Sequence, residues 1–298
     1  LYLITLIIFI ALIIIFFMKY TFKKIIKYRK IFLKNGFDGT YYYFINKNIK
    51  DSGLNNFIDK KRRNLALQIS KKTNQTIYSG PYQGVKLQNL FSSYKVDLVS
   101  IFLGTYEIEI QKKIIELSKD NELKNFVDLG AGEGFHIISL IKKNHFNRGL
   151  AYEINKQSRN NLEKNLTLNN LENKIEIYNE ANFNSLKEKI TKNDVKKTLF
   201  LIDIEGHEFN LFDESFCDYF KEGFFIIEDH HFNVLDVNKK NKFYNLIKDF
   251  FNIEIIKDTG KNPFDLKILD NYNDDEKYLM MSEGRPETMQ WLILKPKN

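Results

Sequence analysis

From Asn125 to Glu228 the chain repeats one pattern, a short apolar run followed by a longer stretch of helical character. The runs at 125–129, 149–153, 174–178, 198–204 and 224–228 predict strands, and their alternation with helical segments predicts a mostly parallel α/β sheet. Between two of them, Asn161–Leu168 carries Leu162 and Leu166 four apart, as an amphipathic crossover helix should. Gln290–Leu294 reads as a final strand after a loop holding Gly284 and Pro286. Upstream, Ile58–Lys72 predicts a helix, and Gln75–Asn89, punctuated by Gly80, Pro81 and Gly84, predicts a short hairpin. Val99, Phe102, Tyr106, Ile110, Ile114 and Leu117 recur every three or four residues, which predicts one continuous helix leading into the sheet.

The first segment follows a different rule. Leu1–Met18 has no charge and only Tyr2 and Thr5 as polar groups, at the short end of what crosses a hydrocarbon core as a helix. Lys19, Lys23, Lys24, Lys27, Arg29, Lys30 and Lys34 follow without an intervening acid, and the positive-inside rule places that flank and the rest of the chain in the cytoplasm. The expected organisation is a single-pass transmembrane anchor over 1–18 and a basic juxtamembrane segment and connector over 19–57. Accessory helices and a hairpin then occupy 58–120, and the α/β core 121–298.

Charge sharpens this reading. The formal net charge of the 298 residues is +7, and the seven juxtamembrane cations supply all of it, so the remainder sums to about zero. That argues against a nucleic-acid surface and for contact with anionic headgroups, or for ordinary flanking charge. The single cysteine, Cys217, excludes an internal disulfide and a cysteine-rich zinc module, and reads as a small buried hydrophobe.

Candidate chemistry begins at Phe126-Val-Asp-Leu-Gly-Ala-Gly-Glu-Gly-Phe135, where a strand ends in a glycine-rich turn and a helix opens at His136. Gly130, Gly132 and Gly134 let the backbone approach a ligand closely, and Glu153 at the end of the next strand is placed for ribose hydroxyls. A dinucleotide loop needs a third glycine where this chain has Phe135. Asp128 puts a carboxylate beside the loop, which repels a diphosphate and suits the ammonium or sulfonium of S-adenosylmethionine. A methyl-donor site is therefore favoured over an NAD(P)-dependent oxidoreductase.

The VDLGAGEG loop, the AYEINKQSRNNLEKNLTLNNL segment and LIDIEGHEFNLF resemble the FkbM family of methyltransferases, whose members share a D-x-E-G-x-E element after the fourth strand. GPYQGVKL, LGTYEIEI, IIEDHHF and RPETMQWLILKP extend the resemblance over about residues 79 to 296. It implies a Rossmann-like class I methyltransferase fold, S-adenosylmethionine as donor, and often O-methylation of sugars or other hydroxylated small molecules. Residue by residue it implies Asp128, Gly130, Gly132 and Gly134 for the methionine part of the cofactor, Glu153 for its ribose, and Asp203 and Glu205 beside the reactive methyl. His207 after the glycine and the His230-His231 pair depart from the commoner form.

Transfer of a methyl group to a hydroxyl needs alignment and a proton acceptor. Asp203, Glu205, His207 and Glu208 follow one central strand, and Glu228, Asp229, His230 and His231 another, so both sets belong to the carboxyl edge where open α/β sheets bind ligands. His207 or His230 is the expected base, with Asp203 and Glu205 positioning cofactor or acceptor. Helix capping by Glu205 and Glu208 is the competing structural account. No metal ligands are assigned, although such a concentration of Asp, Glu and His also suits a divalent ion. Glu107 is expected to reach the cofactor amine from its helix, and Arg285 to hold an acceptor anion or a surface ion pair. The expected function is methylation of a sugar, lipid-linked glycan or similar hydroxylated molecule at the cytoplasmic membrane face. A catalytically silent cofactor-binding scaffold is the main alternative.

Overall fold

The computed structural model describes residues 54–88, 98–234, 236–285 and 288–297. The chain divides into Leu1–Lys61 and Arg62–Asn298, and the sheet belongs to the second unit. The expected anchor at 1–18 and nearly all of the connector lie outside the described residues. Among those described, no helix is long and apolar enough to cross a membrane.

The accessory segment holds α1 (Leu54–Lys72), α2 (Leu98–Leu103) and α3 (Ile108–Asp120). The core then runs β1 (Asn125–Leu129), α4 (Phe135–Lys142), β2 (Arg148–Tyr152), α5 (Lys156–Asn169), β3 (Ile175–Tyr178), α6 (Phe183–Lys189) and α7 (Lys192–Val195). It continues through β4 (Thr198–Ile202), α8 (Glu208–Leu211), α9 (Glu214–Phe220), β5 (Phe224–Glu228), α10 (Val237–Phe250), β6 (Phe251–Lys257), α11 (Asp274–Met281) and β7 (Gln290–Pro296).

The seven strands lie in the order β3-β2-β1-β4-β5-β7-β6. β1 to β5 pair in parallel, while β7 runs antiparallel between β5 and β6. This is a Rossmann-like methyltransferase fold with a mostly parallel sheet. The chain moves outward from β1 to β3 and restarts at β4, so the carboxyl ends of β1 and β4 flank the switch point where such sheets bind ligands.

Strand alternation divides the core in two. Phe126, Ala151, Leu199, Leu201, Ile226 and Ile293 face the layer that contains α2, α3 and α4. Val127, Leu150, Phe200, Ile202, Phe225 and Leu292 face the aromatic layer of α9 and α10, where Phe200 stacks on Phe225 at 4.7 Å between centroids. Asp128 and Glu228 alternate with the second set, so both acids turn toward the accessory face.

Two sequence expectations change, and one stretch carries none. The continuous helix over Val99–Leu117 is two helices, because the backbone turns left-handed at Gly104 (φ 82°) and Glu107 (φ 45°). A Cβ on Gly104 would stand 1.9 Å from the Ser79 carbonyl oxygen, so the break is also where the turn closed by the Thr76–Lys86 bridge packs. The strand expected to reach residue 204 stops at Ile202, since Ile204 to His207 form a tight turn closed by the His207 N–H donating to the Ile204 carbonyl at 3.0 Å. Finally, β6 and the long α10 before it carry no expectation from the sequence, although Ile253 and Ile255 alternate with polar residues as an edge strand should.

Candidate active site

The glycine loop is built by close approach. The N–H groups of Gly130 and Ala131 donate to the Tyr152 carbonyl at 2.8 and 3.0 Å, locking the loop to the end of β2. A Cβ on Gly130 would lie 1.8 Å from the Asp203 carbonyl oxygen, so this glycine lets β1 and β4 run out side by side. Gly134, at φ 96°, caps α4, and a Cβ there would strike Leu162 of α5 at 2.4 Å. The result is a compact backbone cradle at the helix start, buried from Ala131 to Gly134 and held closed by these contacts.

Glu153 accepts from the Gly132 N–H at 2.9 Å and from the Asn155 N–H at 2.6 Å, so the acid at the end of β2 also holds the loop. Phe135, at the position a dinucleotide loop gives to glycine, is fully buried and packs edge-on against Tyr82 and Tyr106 at 5.2 and 5.4 Å. It fastens the accessory segment beneath the loop.

Asp128 is buried. Burial, reinforced by the Glu153 and Glu107 carboxylates and only partly offset by His136, raises its carboxyl to about 7. Glu107 goes the other way: burial alone would raise it, but the His136 hydrogen bond and the Arg285 charge hold it at about 2. Glu107 does not project from a helix face as expected. It occupies the left-handed position before α3, and its Oε2 meets His136 Nε2 at 3.0 Å. An ionised Glu107 accepts from Nε2–H, which in the neutral imidazole leaves Nδ1 to accept from the Tyr82 hydroxyl at 3.0 Å.

The chain of contacts continues through Arg285, whose guanidinium donates to Glu107 Oε1 at 2.5 Å, to Glu283 at 2.9 Å and to Glu228. Arg285 is therefore a partly buried bridge between the accessory segment and the end of β5. Its cationic form is further favoured by these carboxylates against the cost of burial. The sequence signalled neither His136 nor Glu283 as part of this network, because their partners lie 29 and 176 residues away.

Beside it lies a second group. His230, 4% exposed, places Nε2 at 3.6 Å from Asp203, 3.7 Å from Glu205 and 3.8 Å from Glu228, with Nδ1 at 3.4 Å from Glu208. Burial opposes the charged imidazole, yet Glu208, Glu228 and Glu205 outweigh it and raise its pKa. Asp203 has 36% of its side chain open to solvent, but its Oδ1 is closed off; burial of that oxygen and the Glu228 and Glu107 charges push its carboxyl well above the usual range. Glu205 is exposed and sits at φ 55°, with Gly206 at φ 97°, the two positive angles of a type I′ turn. A non-glycine residue held there is strained, as at many functional sites.

Glu208 is a tie rather than an open acid: it accepts from the Gly206 N–H at 2.9 Å and the His230 N–H at 3.2 Å. Asp229 is likewise spoken for by the Tyr244 hydroxyl at 2.8 Å and Gln290 at 2.7 Å. The structure thus gathers Asp203, Glu205 and His230, adds Glu228, and leaves His207 exposed at the start of α8 with no side-chain cap bond. A cleft of about 540 Å³, lined by Asp258, Lys261, Tyr278, Met281, Glu283 and Arg285 among others, opens at the Arg285 bridge.

Residues 88–209, which include the glycine loop, Glu153, Asp203 and Glu205, match the family model described as the TRM5/TYW2 methyltransferase domain. The domain match and the charged cradle define an S-adenosylmethionine-dependent methyltransferase. Among curated proteins, none matches the chain in sequence. Solved structures similar to it include a precorrin-6y C5,15-methyltransferase from Geobacter metallireducens (12% identity, 64% of this chain and 89% of that one, TM-score 0.39). Others are an O-methyltransferase from Bacillus cereus in complex with SAH (13%, 63% and 81%, TM-score 0.42) and the tRNA methyltransferase TrmK of B. subtilis (9%, 63% and 65%, TM-score 0.41). Likeness at this level assigns no substrate to this chain.

Proposed function

We propose that this methyltransferase is of the FkbM type and methylates an oxygen of a hydroxylated small molecule, a sugar or a lipid-linked glycan, with its N-terminal segment holding it at the cytoplasmic face of a membrane. The observation that carries the reading is the convergence of Asp203, Glu205 and Glu228 on His230, directly beside the glycine loop that Gly130 packs against Asp203. The D-x-E-G-x-E element of the resemblance is Asp203 to Glu208, so the strained turn and its tie belong to the same motif.

When bound, S-adenosylmethionine supplies a methyl group on a cationic sulfur: the S–CH3 bond breaks with its electron pair going to sulfur while the acceptor oxygen forms the new C–O bond, leaving S-adenosylhomocysteine. Asp128 and the loop from Gly130 to Gly134 would hold the charged methionine end of the bound cofactor, and Glu153 its ribose. The acceptor proton passes to Glu205, whose exposed carboxylate returns it to water. Asp203 and His230 orient the acceptor oxygen. The cleft beyond Arg285 offers a place for the remainder of the acceptor. Outside the seven juxtamembrane cations the chain carries no net charge, which favours an uncharged hydroxylated acceptor over a nucleic acid.

The test is incubation of the full chain with methyl-labelled S-adenosylmethionine and separate pools of sugars, lipid-linked glycans and RNA. Label in an alkali-stable methyl ether of a hydroxylated acceptor is expected. Label in RNA alone, or tight S-adenosylhomocysteine binding without turnover on any pool, would reject the reading, the latter in favour of a silent scaffold.

A further inference from the structure

A buried imidazole surrounded by carboxylates normally makes a hydrogen bond through each ring nitrogen. His230 Nε2 does not: at 3.6, 3.7 and 3.8 Å from Asp203, Glu205 and Glu228 it is too far for one, while Nδ1 stands 3.4 Å from Glu208. Asp203 Oδ1 is likewise buried and unpartnered. One ligand atom from each of Asp203, Glu228 and His230 lies within 4.8 Å of the other two. Around an ion held at about 2.1 Å in tetrahedral geometry, ligand atoms stand about 3.4 Å apart, so small side-chain adjustments close these gaps on a cation.

We infer that Asp203, Glu228 and His230 form a binding site for a divalent transition-metal ion at the carboxyl edge of the sheet. The ligand set, one imidazole nitrogen with two carboxylate oxygens, suits Mn²⁺ or Zn²⁺, whereas Mg²⁺ prefers oxygen alone. Glu208, 1% exposed, stands 3.4 Å from Nδ1 on the far side of the ring. It is positioned to orient the imidazole with Nε2 toward the ion, the carboxylate–histidine arrangement that metal sites use.

Charge points the same way. Asp203, Glu205, Glu208 and Glu228 surround one imidazole, and the nearest guanidinium, Arg285, is already shared among Glu107, Glu228 and Glu283. A dication compensates carboxylates that are costly to keep ionised out of water. Arg285 engages Glu228 Oε1, while Oε2 faces His230, so the bridge and the metal use different oxygens.

The role of the ion rests on the O-methyl transfer reading: an open coordination position takes the acceptor hydroxyl, lowers its pKa, and lets Glu205 remove the proton. The binding itself does not depend on that reading. The full chain, stripped with chelator and dialysed, is titrated with Mn²⁺ alone, without cofactor or acceptor, while the free-ion electron paramagnetic resonance signal is followed. One saturable equivalent, displaced by Zn²⁺, is expected.

His230→Gln and Asp203→Asn should each weaken Mn²⁺ binding more than roughly 100-fold, and Glu208→Gln by roughly tenfold. S-adenosylhomocysteine binding by His230→Gln reports that it is folded. Absence of a saturable equivalent in the unsubstituted chain overturns the inference whatever the variants do, as does equal Mn²⁺ affinity in a folded His230→Gln chain. Stoichiometric Mn²⁺ binding with no methyl transfer defeats the functional reading alone. Chelator-insensitive methyl transfer by a chain that binds no Mn²⁺ defeats the metal alone.

Discussion

At the scale of single residues, two buried acids beside the glycine loop are shifted in opposite senses. Asp128 is raised from its ordinary 3.8 to about 7, so between those values the folded chain binds more protons than the unfolded one, and stability falls as pH rises through that window. Binding of a ligand bearing ammonium and sulfonium charges favours the ionised carboxylate, so affinity should move the other way. Calorimetry with S-adenosylmethionine is expected to show binding that strengthens from pH 6 to 8 with proton uptake by the buffer. Asp128→Asn should bind more weakly and without that dependence; an unchanged pH profile would remove Asp128 from the cofactor's charged end. For Glu107, lowered from 4.5 to about 2, the sign is reversed: its contribution to stability is complete above its ordinary value and is lost as pH falls toward 2. Gly130 is read by sterics alone. Gly130→Ala places a methyl against the Asp203 carbonyl at φ 89°, and is expected to abolish S-adenosylhomocysteine binding in a chain that still shows a cooperative melt.

At the scale of elements, the decisive joints are those between the sheet and what lies over it. Phe135 on α4 packs between Tyr82 of the hairpin and Tyr106 before α3, so one aromatic residue fixes the accessory segment. Phe135→Ala should cost about 3–5 kcal/mol, measured by denaturant unfolding, with most of the loss in the accessory segment as seen by amide exchange. Arg285 performs the corresponding task in the connection between α11 and β7. Arg285→Leu leaves Glu107 and Glu228 buried without their cation, a change expected to cost about 3–5 kcal/mol near neutral pH. Stability of that variant should recover partly on acidification, because protonating the two carboxylates removes the uncompensated charge. Recovery at high pH instead would contradict the ion-pair account.

At the scale of the whole molecule, seven strands, two core layers and the helices α2 and α3 belong to the unit Arg62–Asn298. A chain beginning at Asp51 keeps α1 complete and retains every residue assigned to the site. It is expected to melt cooperatively and to bind S-adenosylhomocysteine as tightly as the full chain by calorimetry. A fragment that is folded yet loses the ligand would place a necessary contact within the first 50 residues. The same pair of proteins, mixed with vesicles containing anionic lipid and sedimented, tests the anchor: only the full chain should pellet.

The parallel sheet, the order of its strands along the chain and the glycine loop were written in local pattern: short apolar runs, helical spacing, and glycines where backbone must approach backbone. Those features depend on residues within about ten positions of each other, so periodicity and turn chemistry reveal them. The acids after β4 and β5 were also legible as strand-end residues, because strand alternation fixes the face they take. What only the tertiary structure decided is which groups meet. His136 joins Glu107, Arg285 joins Glu107 to Glu228, and His230 rather than His207 enters the carboxylate cluster, each through contacts between segments far apart in sequence. The helix break at Gly104–Glu107 belongs there too: its helical spacing is intact, and it is the approach of Ser79 and the buried partners of Glu107 that turn the backbone. Local pattern sets where a chain turns and which face a side chain takes. Burial and pairing across the fold set its charge, and so its chemistry.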